Sequence, residues 1–173
     1  MPNADVVRIR PIVAADAPAL IAAHIASRAL HGTWVQPPCD RTAFNAWFAP
    51  VARGRKIALV GEYAGAMVGV VNLNEIVWGP LQSAYLGYYA LAGMEQRGLM
   101  TETLRLAVAH AFGPVGLHRV EANIQPGNTA SRALVRRLGF VQEGFSESYL
   151  FIDGAWRDHE RWAQLSDAGR SDR

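Results

Sequence analysis

Asn128 and Ser131 stand three residues apart at the start of a helical stretch, so their side chains share one face of a helix N-terminus. An amide and a hydroxyl in that position can hold a polar ligand or donate a hydrogen bond to a leaving group. They can equally be helix caps, a common duty of Asn and Ser there. Gly98 precedes a second helical stretch, within EQRGLMT at residues 95–101. A strand, a glycine turn and a helix expose backbone N–H groups at the positive end of the helix dipole, and phosphate is the usual anion for such an end. The turn is not a Walker loop, because no Gly-Lys-Ser/Thr follows. Nor is it the dinucleotide fingerprint, because Gly98 stands almost alone. By spacing alone it is a structural turn. Glu75 and Glu121 fall on strand-like stretches and are candidates for proton transfer or, as readily, surface charges. His118 and His159 are imidazoles suited to proton transfer, with turn and strand-edge hydrogen bonding as the expected role.

These residues need elements to position them. Alternation in residues 6–11 predicts a strand. Asp16 caps an expected helix running to about Ala29, with Pro18 in its first turn, and His24 is expected as a partly buried helix residue. Residues 31–38, HGTWVQPP, read as a loop in which Trp34 either walls a substrate cleft or plugs the core edge. Asp40 or Thr42 starts a second helix, with Phe44, Trp47, Phe48 and Val51 as a packing stripe. Residues 53–56 read as a basic, solvated turn. Residues 56–63 and 67–77 form an expected hairpin around Ala64-Gly65, and 83–91 a further strand. Leu104, Ala107, Val108, Ala111 and Phe112 repeat at helical spacing after Gly98. Residues 119–124 are a strand. A helix from Asn128 to Leu138 ends at Gly139, expected in the left-handed conformation. Residues 141–145, 147–152 and 155–165 read as strands, the last two joined at Asp153-Gly154. The order predicts a mixed α/β domain with a parallel pair around the Gly98 helix.

Composition narrows the class. The chain has 173 residues, half of them hydrophobic and 18% charged, which fits one globular domain over residues 1–166 with a polar, flexible tail at 167–173. A net charge of +2 with scattered arginines argues against a nucleic-acid binder. Cys39 is the single cysteine, so no internal disulfide framework or thiolate metal cluster is expected, and no metal. No apolar run approaches a membrane span, and MPNADVVRIR lacks a signal core, so a cytoplasmic protein is expected. Monomer and homodimer both stay open.

The 95–101 turn resembles the acetyl-CoA pyrophosphate loop of the GNAT superfamily of N-acetyltransferases, whose pattern is Gln/Arg-x-x-Gly-x-Gly/Ala. Gly98 takes the first glycine position, Met100 the second, and Glu95 replaces the usual Gln/Arg. Asn128-Thr-Ala-Ser131 with Leu138-Gly139-Phe140 is similar to the Asn-x-x-Ser…Gly-Phe signature of the same family. Tyr85-Leu-Gly-Tyr88, His118-Arg-Val-Glu-Ala122 and the stretch from Tyr149 to His159 resemble the ribosomal-protein alanine N-acetyltransferase branch. The resemblance runs from about Val7 to Trp162.

The resemblance implies the GNAT acyl-CoA N-acyltransferase fold, a central mixed sheet flanked by helices. It implies acetyl-CoA as cosubstrate and a protein or peptide N-terminus as acceptor. It assigns the backbone of Gln96, Arg97, Gly98, Leu99, Met100 and Thr101 to the pyrophosphate, and Asn128 to the coenzyme arm. Ser131 serves the departing sulfur, and N–H groups near Ala90 and Leu91 the nascent oxyanion. Arg136, with Arg132 and Arg137 beside it, is a candidate for the coenzyme 3′-phosphate or a solvated helix face. Many relatives carry a Glu where this chain has Tyr85, so Tyr85 with a water chain, Glu75 or Glu121 are the candidates for the base step. Direct attack in a ternary complex is expected, because nothing around Cys39 suggests a thiol relay. Two alternatives stand beside this reading: an acetyltransferase of a small amine such as an amino acid, polyamine or aminoglycoside, and a non-catalytic acetyl-CoA-binding module.

Overall fold

The computed structural model describes residues 6–167. The expected tail therefore lies, apart from Asp167, outside the described residues. In chain order the elements are β1 (Arg8–Pro11), α1 (Ala17–Ala26), α2 (Arg28–His31), α3 (Arg41–Ala52), β2 (Ile57–Tyr63), β3 (Ala66–Val77), β4 (Ser83–Ala90), α4 (Leu99–Phe112), β5 (Arg119–Ile124), α5 (Thr129–Arg137), β6 (Val141–Ile152) and β7 (Ala155–Leu165), with a 3₁₀ turn (Ala14–Asp16) before α1.

The caps show why several elements start and stop where they do. Asp40 accepts the Ala43 N–H at 2.8 Å and opens α3. Asn128 Oδ1 accepts the Ser131 N–H at 3.1 Å and opens α5. Gly139 (φ 84°) closes α5: its N–H donates to Arg136 O at 3.0 Å, and the Phe140 N–H to Val135 O at 3.0 Å.

Four local expectations are corrected. Asp16 does not cap α1; its carboxylate is held by Arg10, at 2.8 and 2.9 Å, and by the Val13 N–H. The first helix breaks at Ser27, because the Ser27 hydroxyl donates to Ala23 O and accepts the Ala92 N–H at 2.9 Å. β6 is one strand, not two, because register shifts at Gln142/Gly144 and Ser146/Leu150 absorb the extra residues. Lys56 is not on a solvated turn: its ammonium lies 4.6 Å from the Trp47 ring centroid, and burial pulls its pKa down to about 8.

The strands form one seven-stranded sheet in the order β1-β2-β3-β4-β5-β7-β6. β4 and β5 are parallel and every other neighbouring pair is antiparallel. α4 is the crossover that makes the parallel pair possible. The β4–β5 register begins at Ser83↔Arg119 and ends at Leu86↔Ala122. β4 nevertheless continues to Ala90 and β5 to Ile124, so the two strands part and leave a gap.

Alternation divides the sheet into two faces. Leu73, Ala84, Leu86, Val120, Ala122 and Ile124 pack with Leu104, Ala107, Val108 and Val135 of α4 and α5. On the other face, Tyr89 and Leu91 pack with Ala17, Leu20 and Phe44 of α1 and α3. α4 lies so close to β2 that a Cβ at Gly61 would collide with Thr103. This close approach fixes the first turns of α4 against β2.

Candidate active site

The gap between β4 and β5 opens into a cleft of about 680 Å³ that reaches both faces of the sheet. On the α4–α5 side it is lined by Leu86, Tyr88, Ala90, Met100, Thr101, Asn128, Ser131 and Arg137. On the α1–α3 side it is lined by His31, Trp34, Val35, Tyr89, Asn123 and His159. Leu150 and Ile152 of β6 close the far wall.

The turn before α4 is an anion cradle. Gln96 (φ 57°) and Gly98 (φ 73°) are both left-handed, which aims successive N–H groups to one side. The first-turn N–H groups of α4 have no helical partner. A Cβ built on Gly98 would meet nothing within 4 Å, so the backbone there faces open space. Arg137 Nη1 donates to Thr101 Oγ1 at 3.4 Å and brings a cation to the same end. The Arg97 and Leu99 side chains turn away: Arg97 lies 5.5 Å from the Tyr63 ring and Leu99 is buried. Only their backbone belongs to the turn.

Arg136 is not at the cleft. Its guanidinium lies 5.2 Å from the Trp162 ring, while its neighbour Arg137 lines the cavity. Buried Val135 fixes the rotation of α5, and adjacent residues on a helix point about 100° apart. Arg132 is held by Glu160 at 2.9 Å, with Trp162 Nε1 donating to the same carboxylate at 3.0 Å.

Ser131 faces β4, and its hydroxyl lies 2.6 Å from the Tyr88 hydroxyl. Burial pushes the Tyr88 phenol up to about 12, so it stays protonated at neutral pH. Of the two oxyanion candidates, Leu91 is committed, since its N–H donates to Val68 O at 2.9 Å. Antiparallel alternation then turns the Ala90 N–H toward the gap. The Ala90 carbonyl accepts from His31 Nε2 at 2.8 Å, which ties α2 to the open end of β4.

The three residues expected at the base step lie off the cleft. Glu75 is exposed at the β3 bulge, with φ 46°. Glu121 is paired with Arg119 at 2.7 Å, and Arg119 also holds Glu143. The neighbouring Tyr149 hydroxyl and desolvation push the Tyr85 phenol up to about 12, so it stays protonated at neutral pH and cannot take a proton. His118 is absent from the cleft lining and Cys39 Sγ donates to Pro37 O at 3.4 Å, away from it. Trp34 does line the cleft and stands against Gly127. Among the described residues, no group of three or more His, Cys, Asp or Glu could hold a metal. No described helix is long and apolar enough to cross a membrane.

Sequence reasoning did not place Tyr88, His31 or Asn123 in a site, and it expected strand-edge hydrogen bonding for His159, which lines the cleft. Tyr88 had a signal: it sits three residues from Tyr85, and so on the opposite face of the strand. His31 and Asn123 had none, because they meet the cleft only through the sheet order.

A sheet parted between two parallel strands, with an anion cradle at one end of the gap, defines a coenzyme-binding α/β fold. The chain belongs to the GNAT family: residues 7–141 match the family described as Acetyltransferase (GNAT) domain. Over 93 residues it is 41% identical to ribosomal protein uS5-alanine N-acetyltransferase of Escherichia coli, covering 54% of this chain and 48% of that protein. Over 158 residues it is 30% identical to L-methionine sulfoximine/L-methionine sulfone acetyltransferase of Pseudomonas aeruginosa, covering 87% and 89%. The solved structure of Mycobacterium smegmatis RimJ in complex with CoA-disulfide superposes with a TM-score of 0.84 at 32% identity, covering 97% of this chain and 86% of that one. The aligned stretch spans about half the length of some curated relatives, 48% for the Escherichia coli protein.

Proposed function

We propose that this protein transfers the acetyl group of acetyl-CoA to an α-amine beside a neutral residue, as at the N-terminus of a protein or peptide. The distribution of charge along the cleft carries this reading. Glu95 and Arg137 are the cleft-lining residues with fixed charge, and both belong to the α4 turn end. The opposite end, with Trp34, Val35, Leu150 and Ile152, presents no carboxylate among the described lining residues. A polyamine would bury positive charges there without a partner, which is costly. A free amino acid would bring a carboxylate and meet no fixed cation. A peptide N-terminus brings a single charge at the amine and a neutral amide behind it.

The residues present fit the coenzyme. The N–H groups of residues 96–101 are placed to hold its pyrophosphate, with Arg137 adding a cation. Asn128 borders the path from that cradle to the gap. At the gap, the Ala90 N–H is aimed where an acyl oxygen would gain negative charge. The Tyr88–Ser131 pair offers a proton to the departing sulfur. A ribosomal protein is the acceptor class suggested by the Escherichia coli relative. The Pseudomonas aeruginosa relative favours a second reading, a neutral free amino acid.

The deciding experiment is an acceptor screen read by release of coenzyme A thiol. It sets peptides beginning with Ala or Ser against methionine sulfone and spermidine. Turnover of the peptides, with none of spermidine, is expected. Turnover of spermidine above the peptides would overturn the charge argument, and activity on methionine sulfone alone would select the second reading.

A further inference from the structure

Two side-chain acceptors are left open on the α1–α3 side of the cleft. Asn123 Oδ1 is buried and receives no hydrogen bond from the described residues, an arrangement that is costly unless a ligand or water completes it. His159 is 2% exposed yet lines the cleft. Its Nδ1 lies 2.8 Å from Arg157 O. A carbonyl only accepts, so Nδ1 carries the hydrogen and Nε2 presents a lone pair. No hydrogen bond from the described residues reaches that nitrogen.

The sheet brings the two together. Asn123 pairs with Arg161 in the β5–β7 ladder, so His159 is its diagonal neighbour on the same face, roughly 7 Å away. Both line the cleft whose β4 rim carries Ala90 and Tyr88, with Ser131 of α5 hydrogen-bonded to Tyr88. Glu121, on the same face of β5, is held by Arg119 at 2.7 Å.

Resting on the acetyl-transfer reading above, we propose that the acceptor amine is received between Asn123 and His159, Asn123 Oδ1 accepting one of its hydrogens and His159 Nε2 taking its proton. The acceptor arrives as an ammonium and gives one proton to Nε2, from which it passes to solvent. The freed lone pair forms the N–C bond to the thioester carbonyl carbon. The C–S bond breaks, and its electron pair leaves on sulfur. Sulfur takes a proton from the Tyr88–Ser131 pair. The second nitrogen proton replaces the one that pair gave. One amide, one thiol and one released proton result.

The test uses the whole chain with an Ala-initiated peptide and acetyl-CoA. His159→Asn keeps a donor toward Arg157 O and removes Nε2. It is expected to lower kcat by about 100-fold at neutral pH, with the acetyl-CoA-induced rise in Tm retained. The deficit should shrink as pH is raised toward the amine's own titration, where free amine forms without a base. Glu121 on β5, Tyr149 on β6, Tyr85 on β4, and Arg157 and Arg161 on β7 share or border this face, and the wild-type profile run in parallel carries their contribution. His31→Gln keeps a donor for Ala90 O and should show no such alkaline recovery. Alkaline recovery in His31→Gln rather than in His159→Asn would overturn the assignment, as would a wild-type rate in His159→Asn. Asn123→Ala should raise the acceptor KM about tenfold and leave acetyl-CoA binding unchanged. An unchanged acceptor KM there overturns the docking on its own, even if the His159 variant fails to fold. A wild-type protein inactive on every amine would instead fail the acetyl-transfer reading.

Discussion

The hydroxyls of Tyr88 on β4 and Ser131 on α5 lie 2.6 Å apart at the gap between the parallel strands. One donates to the other, and the buried phenol stays protonated, with its pKa at about 12. The pair is a proton source held where a sulfur leaving group would sit. Tyr88→Phe is expected to lower kcat by about 100-fold, and Ser131→Ala by about tenfold, with KM for acetyl-CoA changed less. Steady-state kinetics on both variants and the double mutant check this. An additive double mutant would show that the two act separately, and unchanged rates would leave the Tyr88–Ser131 hydrogen bond a packing contact.

Acetyl-CoA should stabilise the fold. At a hundred times its Kd it contributes about 2.7 kcal/mol, which in a chain of this size raises Tm by roughly 5–10 °C. Gly98→Ala places a Cβ at φ 73°, costs about 1–2 kcal/mol, and should weaken the coenzyme-induced shift. Differential scanning fluorimetry with and without acetyl-CoA measures both. No shift at saturating acetyl-CoA would remove coenzyme binding from the turn.

Tyr85 lies outside the cleft lining, beside Tyr149. Tyr85→Phe should therefore keep activity within about twofold of wild type, the scale of one exposed hydrogen bond. A large loss of kcat would restore the water-chain role expected from its place in the sequence.

His24 is fully buried, accepts from the Tyr89 hydroxyl at 3.1 Å, and donates through Nδ1 to Pro38 O at 2.7 Å. Burial holds its pKa below the ordinary 6.5. In the unfolded chain the imidazole takes up a proton at a pH where the folded one does not. The contribution of His24 is present above pH 6.5 and is lost as pH falls toward the folded pKa. Denaturant midpoints should fall between pH 7 and pH 5, and His24→Gln should flatten that slope while lowering stability at pH 7.

Leu104 is fully buried between α4 and the sheet. Leu104→Ala should cost about 2–5 kcal/mol in urea unfolding. A cost below about 1 kcal/mol would mean that the core closes over the cavity.

The sequence by itself determined what is local. Gly98, Asn128 with Ser131, and Gly139 mark their turns and caps because each satisfies backbone groups within a few residues. The helical repeat after Gly98 and the β-branched alternation around it fixed the element order, and with it a parallel pair. Asp16 was misread as a cap because Arg10, six residues back, holds its carboxylate, and the first helix was read through to Ala29 because the Ala92 N–H that meets the Ser27 hydroxyl comes from across the fold. Only the tertiary structure decided which candidates meet. The rotation of α5 is set by burying Val135, so Arg137 and not Arg136 reaches the cleft. The point where β4 and β5 part is set by the packing of both strands, and it opens Ala90 while Leu91 stays paired. Placing β7 beside β5 brings His159 to Asn123, a juxtaposition that depends on sheet order and that no spacing in the chain encodes.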